Sequence, residues 1–141
     1  KKEKSRRMSN KKDIDTAFLS RTIELLETVL DEFDPNDADH DEALLKTAFS
    51  TLIKEGYMTV SLKGFGLRDL VGEVLGEHAS DDLIYRTETF DNLLDTYAGE
   101  PSDEDMEEAH GYLEKILNSL KKKVKSVQKR KDTQQTLWKN S

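Results

Sequence analysis

Apolar residues recur along most of this chain at steps of three and four, the repeat of a helix that lays one face on a core. Over 13–33, Ile14, Phe18, Leu25, Val29 and Phe33 keep that step, and Leu19, Ile23, Leu26 and Leu30 widen the stripe. Asp13 or Asp15 is placed to cap its start, and the Asp34-Pro35-Asn36-Asp37 turn ends it, because a residue before proline avoids the helical region. A second helix is expected over about 40–55, with Leu44, Leu45, Ala48, Phe49, Leu52 and Ile53 on one face, Asp39 or Asp41 as cap and Gly56 as a left-handed stop. Residues 57–66 alternate in polarity, but a lone strand has no partner, so an ordered loop is expected.

Gly64 and Gly66 then open a third helix over 67–76, which Gly72 and Gly76 weaken, pointing to close packing or a short element. Ser80 caps a fourth over about 81–98, with Leu83, Ile84, Phe90, Leu93, Leu94 and Tyr97 facing inward. Pro101-Ser102-Asp103-Glu104-Asp105 is a strong start for the fifth, with Ser102 as cap. Its stripe runs from Met106, Ala109 and Leu113 through Ile116, Leu117 and Leu120 to Val124 and Val127, so the helix is expected to reach about 130, its last turns projecting. Thr133–Ser141 reads as disordered apart from Trp138. The expectation is an all-α fold: a compact bundle of about five amphipathic helices with a projecting basic C-terminal helix.

Charge divides the 141 residues into three parts. The net charge of −7 conceals a basic start over 1–12 of +6, expected to be disordered, an acidic helical domain over 13–120 of −20, and a basic extension and tail over 121–141 of +7. The chain opens on Lys1, and Met8 looks like a native beginning that would make 1–7 an upstream addition; the alternative is a piece of a larger protein. Mean hydropathy of −0.77 is low, yet Leu, Ile, Val and Phe are frequent enough to form a core. Cysteine is absent, which excludes disulfides, thiol nucleophiles and Cys-ligated zinc. No apolar run approaches a membrane span of about 20 residues, and no signal-peptide core follows the basic start, so an intracellular, cytoplasmic protein is expected.

Candidate catalytic sets are sparse. Glu107 and His110 form one Glu-x-x-His pair where a di-iron bundle needs two, and no metal site is expected from it. Asp37, Asp39 and Asp41 mimic the first positions of a calcium loop, but Glu42 stands where its glycine belongs and Ala48 where its glutamate belongs; a solvated helix start is expected. Lys63-Gly64-Phe65-Gly66 precedes a helix, where free N–H groups can hold an anion with Lys63 and Arg68, but a tight turn with Phe65 packed inward is the plainer reading. Ser50, Ser61 and Ser80 lie in no nucleophile-elbow context. Arg68 and His78 are ten residues apart, too far for the same-face Arg/His pair of a small helical ribonuclease.

The leading functional expectation is therefore a non-catalytic helical interaction module that binds a basic protein surface, as a regulator, an inhibitor or immunity-type protein, or an assembly domain. Lys121, Lys122, Lys123, Lys125, Lys129, Arg130, Lys131 and Trp138 form a second contact, to another protein or to a neighbouring copy through helix five. Trp138, alone in a polar tail, either folds back or anchors a partner. The alternative is nucleic-acid association through the basic helix, which lacks interleaved aromatics over 121–131 and would be sequence-blind. A small ribonuclease-like or metal-binding enzyme comes third. No cofactor is expected.

Overall fold

The computed structural model describes residues 14–94 and 101–140, with side chains as far as residue 127. Five α-helices follow one another: α1 (Thr16–Glu32), α2 (Ala38–Lys54), α3 (Leu67–Leu75), α4 (Asp81–Leu94) and α5 (Asp103–Asn140). A 3-10 turn, Gly76–His78, links α3 to α4. No strand occurs among the described residues, and the fold is an all-α bundle.

Short-range chemistry sets most helix boundaries. The Asp15 carboxylate accepts from the Phe18 N–H at 3.1 Å and starts α1. The Ser80 hydroxyl accepts from the Leu83 N–H at 3.2 Å and starts α4. Ser102 and Asp105 close a reciprocal cap at the head of α5, with bonds of 3.1 and 3.2 Å. Gly56 takes a φ of +86°, a region costly for other residues, and turns the chain out of α2.

Two expectations change, and one left open between two alternatives is decided. The cap of α2 is Asp37, whose carboxylate accepts from the His40 N–H at 3.1 Å; Asp39 and Asp41 already lie inside the helix. Gly72 faces open space, so the short length of α3, not close packing, is what accompanies it. Most consequentially, α5 continues to Asn140 where a disordered tail was expected after residue 132. No proline or glycine interrupts 112–140, and its Lys, Arg and Gln residues favour helix even where no core holds them. The expected basic segment over 1–12 and the expected end of α4 near residue 98, with Tyr97, lie outside the described residues.

Neighbouring helices run antiparallel, as their cross-links show. Arg21 on α1 bonds Glu55 just beyond α2, while Phe33 meets His110 and Glu27 meets Lys121 across α1 and α5. Arg86 reaches Ser119 across α4 and α5, and Asp91 reaches the N–H groups of Leu67 and Arg68 across α4 and α3. The core lies between them. Leu19, Leu26, Leu52, Leu70, Phe90, Leu113, Ile116 and Leu120 are sealed from solvent, each contributing about 1.5–3 kcal/mol by its burial. Phe49 and Phe65 meet edge to face at 5.1 Å, which brings the loop after α2 onto the core as expected for an inward Phe65.

The buried ladder of α5 begins at Met106 and ends with Leu120, with Val124 packed on its rim. Beyond it α5 extends for several further turns without a core face of its own among the described side chains.

Candidate functional site

Antiparallel packing turns the charge pattern of the sequence into an asymmetry in space. The end of α1, the turn after it and the start of α2 lie beside the start of α5, because the Phe33 ring packs against His110 at 5.5 Å. Asp31, Glu32, Asp34, Asp37, Asp39, Asp41 and Glu42 come from the first strip, and Asp103, Glu104, Asp105, Glu107 and Glu108 from the second. No lysine or arginine interrupts either strip. The first turns of α2 and α5 both carry acids against the positive ends of their dipoles, so part of this charge is fixed by helix formation. The remainder faces solvent as an acidic end.

Asp41 is the exception within that group. It is fully buried; Oδ1 accepts from the Asp34 N–H at 2.8 Å and lies 3.2 Å from His40 Nδ1, while Oδ2 has no hydrogen-bond partner. Burial raises its pKa above the ordinary aspartate value, against the lowering effect of these bonds. Its task is to fold the turn at Asp34 onto α2.

The opposite end holds the basic start of the α5 extension. Lys121 reaches back to Glu27 at 3.0 Å and ties α5 to α1. Lys122 and Lys125 are exposed, and Lys122 and Lys123 line a concavity with His78 and Ser80. The side chains of Lys129, Arg130, Lys131 and Trp138 lie outside the described ones; their backbone is helical.

The enzymatic candidates are drawn apart or used up. Arg68 at the head of α3 pairs with Glu88 at 2.9 Å, and His78 lies beyond the other end of that helix, in the 3-10 turn that follows it. His110 packs on Phe33, with Glu107 exposed beside it. No group of three or more His, Asp or Glu side chains among the described residues is arranged to hold a metal ion. The anion position weighed at Gly64–Gly66, against the plainer tight turn, is filled from within. Asp91 accepts from the Leu67 and Arg68 N–H groups at 2.9 and 3.1 Å, so the protein's own carboxylate occupies the head of α3. Burial raises the Asp91 pKa; the two N–H bonds act against that without cancelling it. A concavity of about 310 Å³ opens beside it, lined by Glu42, Lys46, Asp69 and Asp91 over Phe49 and Phe65.

The sequence reading missed Asp91, since a cap from another helix leaves no local signature. Its one trace is Gly66: a Cβ there would stand 2.6 Å from Asp91 Oδ2, closer than side chains approach.

No helix among the described residues is long and apolar enough to cross a membrane. Comparison with protein-family models, with curated proteins and with solved structures finds no match to this chain.

Proposed function

We propose that this protein is a non-catalytic helical interaction module whose acidic end binds a basic surface on another protein. The carrying observation is the meeting of two acid-only strips, 31–42 and 101–110, at one end of the bundle. Within a Debye length of about 8 Å at physiological salt such charges act together, steering a basic partner and repelling phosphate backbones. The reading also accounts for Arg68 and His110, which serve pairing and packing.

A test follows with a lysine- and arginine-rich amphipathic peptide as probe, titrated into the ¹⁵N-labelled full chain at 50 and 500 mM salt. Shifts confined to 31–42 and 103–110, weakened at high salt and abolished in Glu104→Lys/Glu108→Lys, support the proposal. Shifts scattered over the bundle, or none at low salt, overturn it.

The continuation of α5 to Asn140 favours one second reading, in which its basic turns associate with nucleic acid. Binding would then rest on phosphate contacts and fall steeply with salt. A mobility shift with duplex DNA that Lys129→Gln/Lys131→Gln removes would favour that reading over the first.

A further inference from the structure

Ser119, Lys122, Lys123 and Ser126 stand at i, i+3, i+4 and i+7 of α5, so they form one stripe of its surface. Across from them, the antiparallel start of α4 brings Ser80, and the turn before it brings His78. Together these six side chains enclose a concavity of about 320 Å³ whose apolar floor is Leu75 and Leu83. The serines leave room where larger residues would fill it, and the lysines supply charge. Arg86 stands behind, donating from Nη1 to Ser119 Oγ at 3.5 Å. Glu77, Asp81 and Asp82 are exposed nearby, but none lines the concavity.

Two hydroxyls of this concavity act as acceptors in the bonds they make. Ser80 Oγ accepts from the Leu83 N–H and Ser119 Oγ from Arg86, so each hydroxyl keeps its own proton to give. Lys121, next in sequence, is already paired with Glu27 on the other side of α5. Two ammonium groups, hydroxyl donors and a small apolar floor are complementary to a compact oxyanion carried on a short carbon skeleton. We propose that this concavity binds a small phosphate monoester, its phosphate held by Lys122 and Lys123 with Ser80 and Ser119, and its carbon part resting on Leu75 and Leu83.

The body of the protein is acidic, yet this pocket lies at the end remote from the acid strips, and screening makes the nearest charges decide. The site is therefore independent of the acidic end proposed to meet a partner, and either reading can fail alone.

The full chain, ¹⁵N-labelled, is titrated with glycerol 3-phosphate and separately with inorganic phosphate, at constant ionic strength in chloride. The proposal expects saturable shifts at 78–83 and 119–126, with glycerol 3-phosphate the tighter of the two. Lys122→Gln/Lys123→Gln should weaken binding about tenfold or more while the remaining spectrum is unchanged. Ser119→Asp, which places a negative charge in the concavity, should abolish it, whereas Lys121→Gln should leave it intact. Shifts at every lysine, absence of saturation, or equal weakening by Lys121→Gln would show diffuse charge attraction and overturn the site. Equal binding of the two probes would overturn its assignment to an ester.

Discussion

Asp91 shows how one side chain can hold together parts of the chain that are distant in sequence. Its carboxylate caps α3 from α4, and it lies where a Cβ on residue 66 would stand, a space that Gly66 leaves open. Gly66→Ala should therefore cost about 1–3 kcal/mol, because the new Cβ pushes the carboxylate off two N–H groups. Asp91→Ala should cost about 2 kcal/mol through the lost cap. The double variant should cost little more than Asp91→Ala alone, since without the carboxylate the alanine has nothing to displace. Urea unfolding of the four proteins checks this, and simple additivity would refute it. Asp91 and Asp41 also set a pH dependence. Both pKa values are raised by burial, so each carboxyl binds a proton more readily in the folded chain than in the unfolded one. Their contribution to stability is complete below the ordinary aspartate pKa and is lost as pH rises through the raised values. Glu55 acts in the opposite sense: Arg21 lowers its pKa, so its contribution holds above the ordinary glutamate value and fades as pH falls through the lowered one. Carboxyl ¹³C titration should place Asp41 and Asp91 above their unfolded midpoints and Glu55 below.

Among the helices, α5 combines two regimes in one continuous element. Up to Leu120 it is held by a buried ladder; beyond Val124 no further side chain among the described ones belongs to the core. Adjacent positions should respond very differently. Leu120→Ala removes a sealed side chain and should cost about 2–5 kcal/mol, whereas Lys121→Ala loses only a half-exposed pair with Glu27 and should cost under about 1 kcal/mol. Chemical denaturation of the two variants checks the contrast. Much of this element was legible beforehand, since the stripe from Met106 to Val124 and the Ser102 cap are local patterns. The same holds for Asp15 and Ser80, each of which caps a helix within three residues. Asp37 reads in the sequence as the last residue of the turn that ends α1, and the same residue caps α2. The tail beyond residue 132 carries no apolar stripe to signal a helix, yet no proline or glycine interrupts it and α5 runs through it. The Ser119 to Ser126 stripe was visible as spacing, but its concavity depends on His78 and Ser80 arriving from α4's side, which only antiparallel packing decides.

Taken whole, the molecule is electrically lopsided, and that lopsidedness should be felt in its stability. Antiparallel packing places the two acid-only strips together, so folding concentrates like charges that the unfolded chain keeps apart. Part of the repulsion is offset by the helix dipoles of α2 and α5, each worth about 0.3–1 kcal/mol per favourably placed charge. The offset acts only on first-turn acids, leaving Asp31, Glu32 and Asp34 at the end of α1 without it, near the dipole's negative pole. Salt at 1 M shortens the screening length to about 3 Å, which suppresses the repulsion between neighbouring carboxylates more than it weakens close pairs such as Arg21 with Glu55. Thermal unfolding at neutral pH should therefore shift to higher temperature as sodium chloride rises from 0.05 to 0.5 M. Replacing Asp31 and Glu32 with glutamine or asparagine should raise the midpoint at low salt and flatten the salt dependence. A midpoint that falls with salt would mean that attractive pairs outweigh the acidic end, and the concentration of charge there would then have no energetic consequence for the fold.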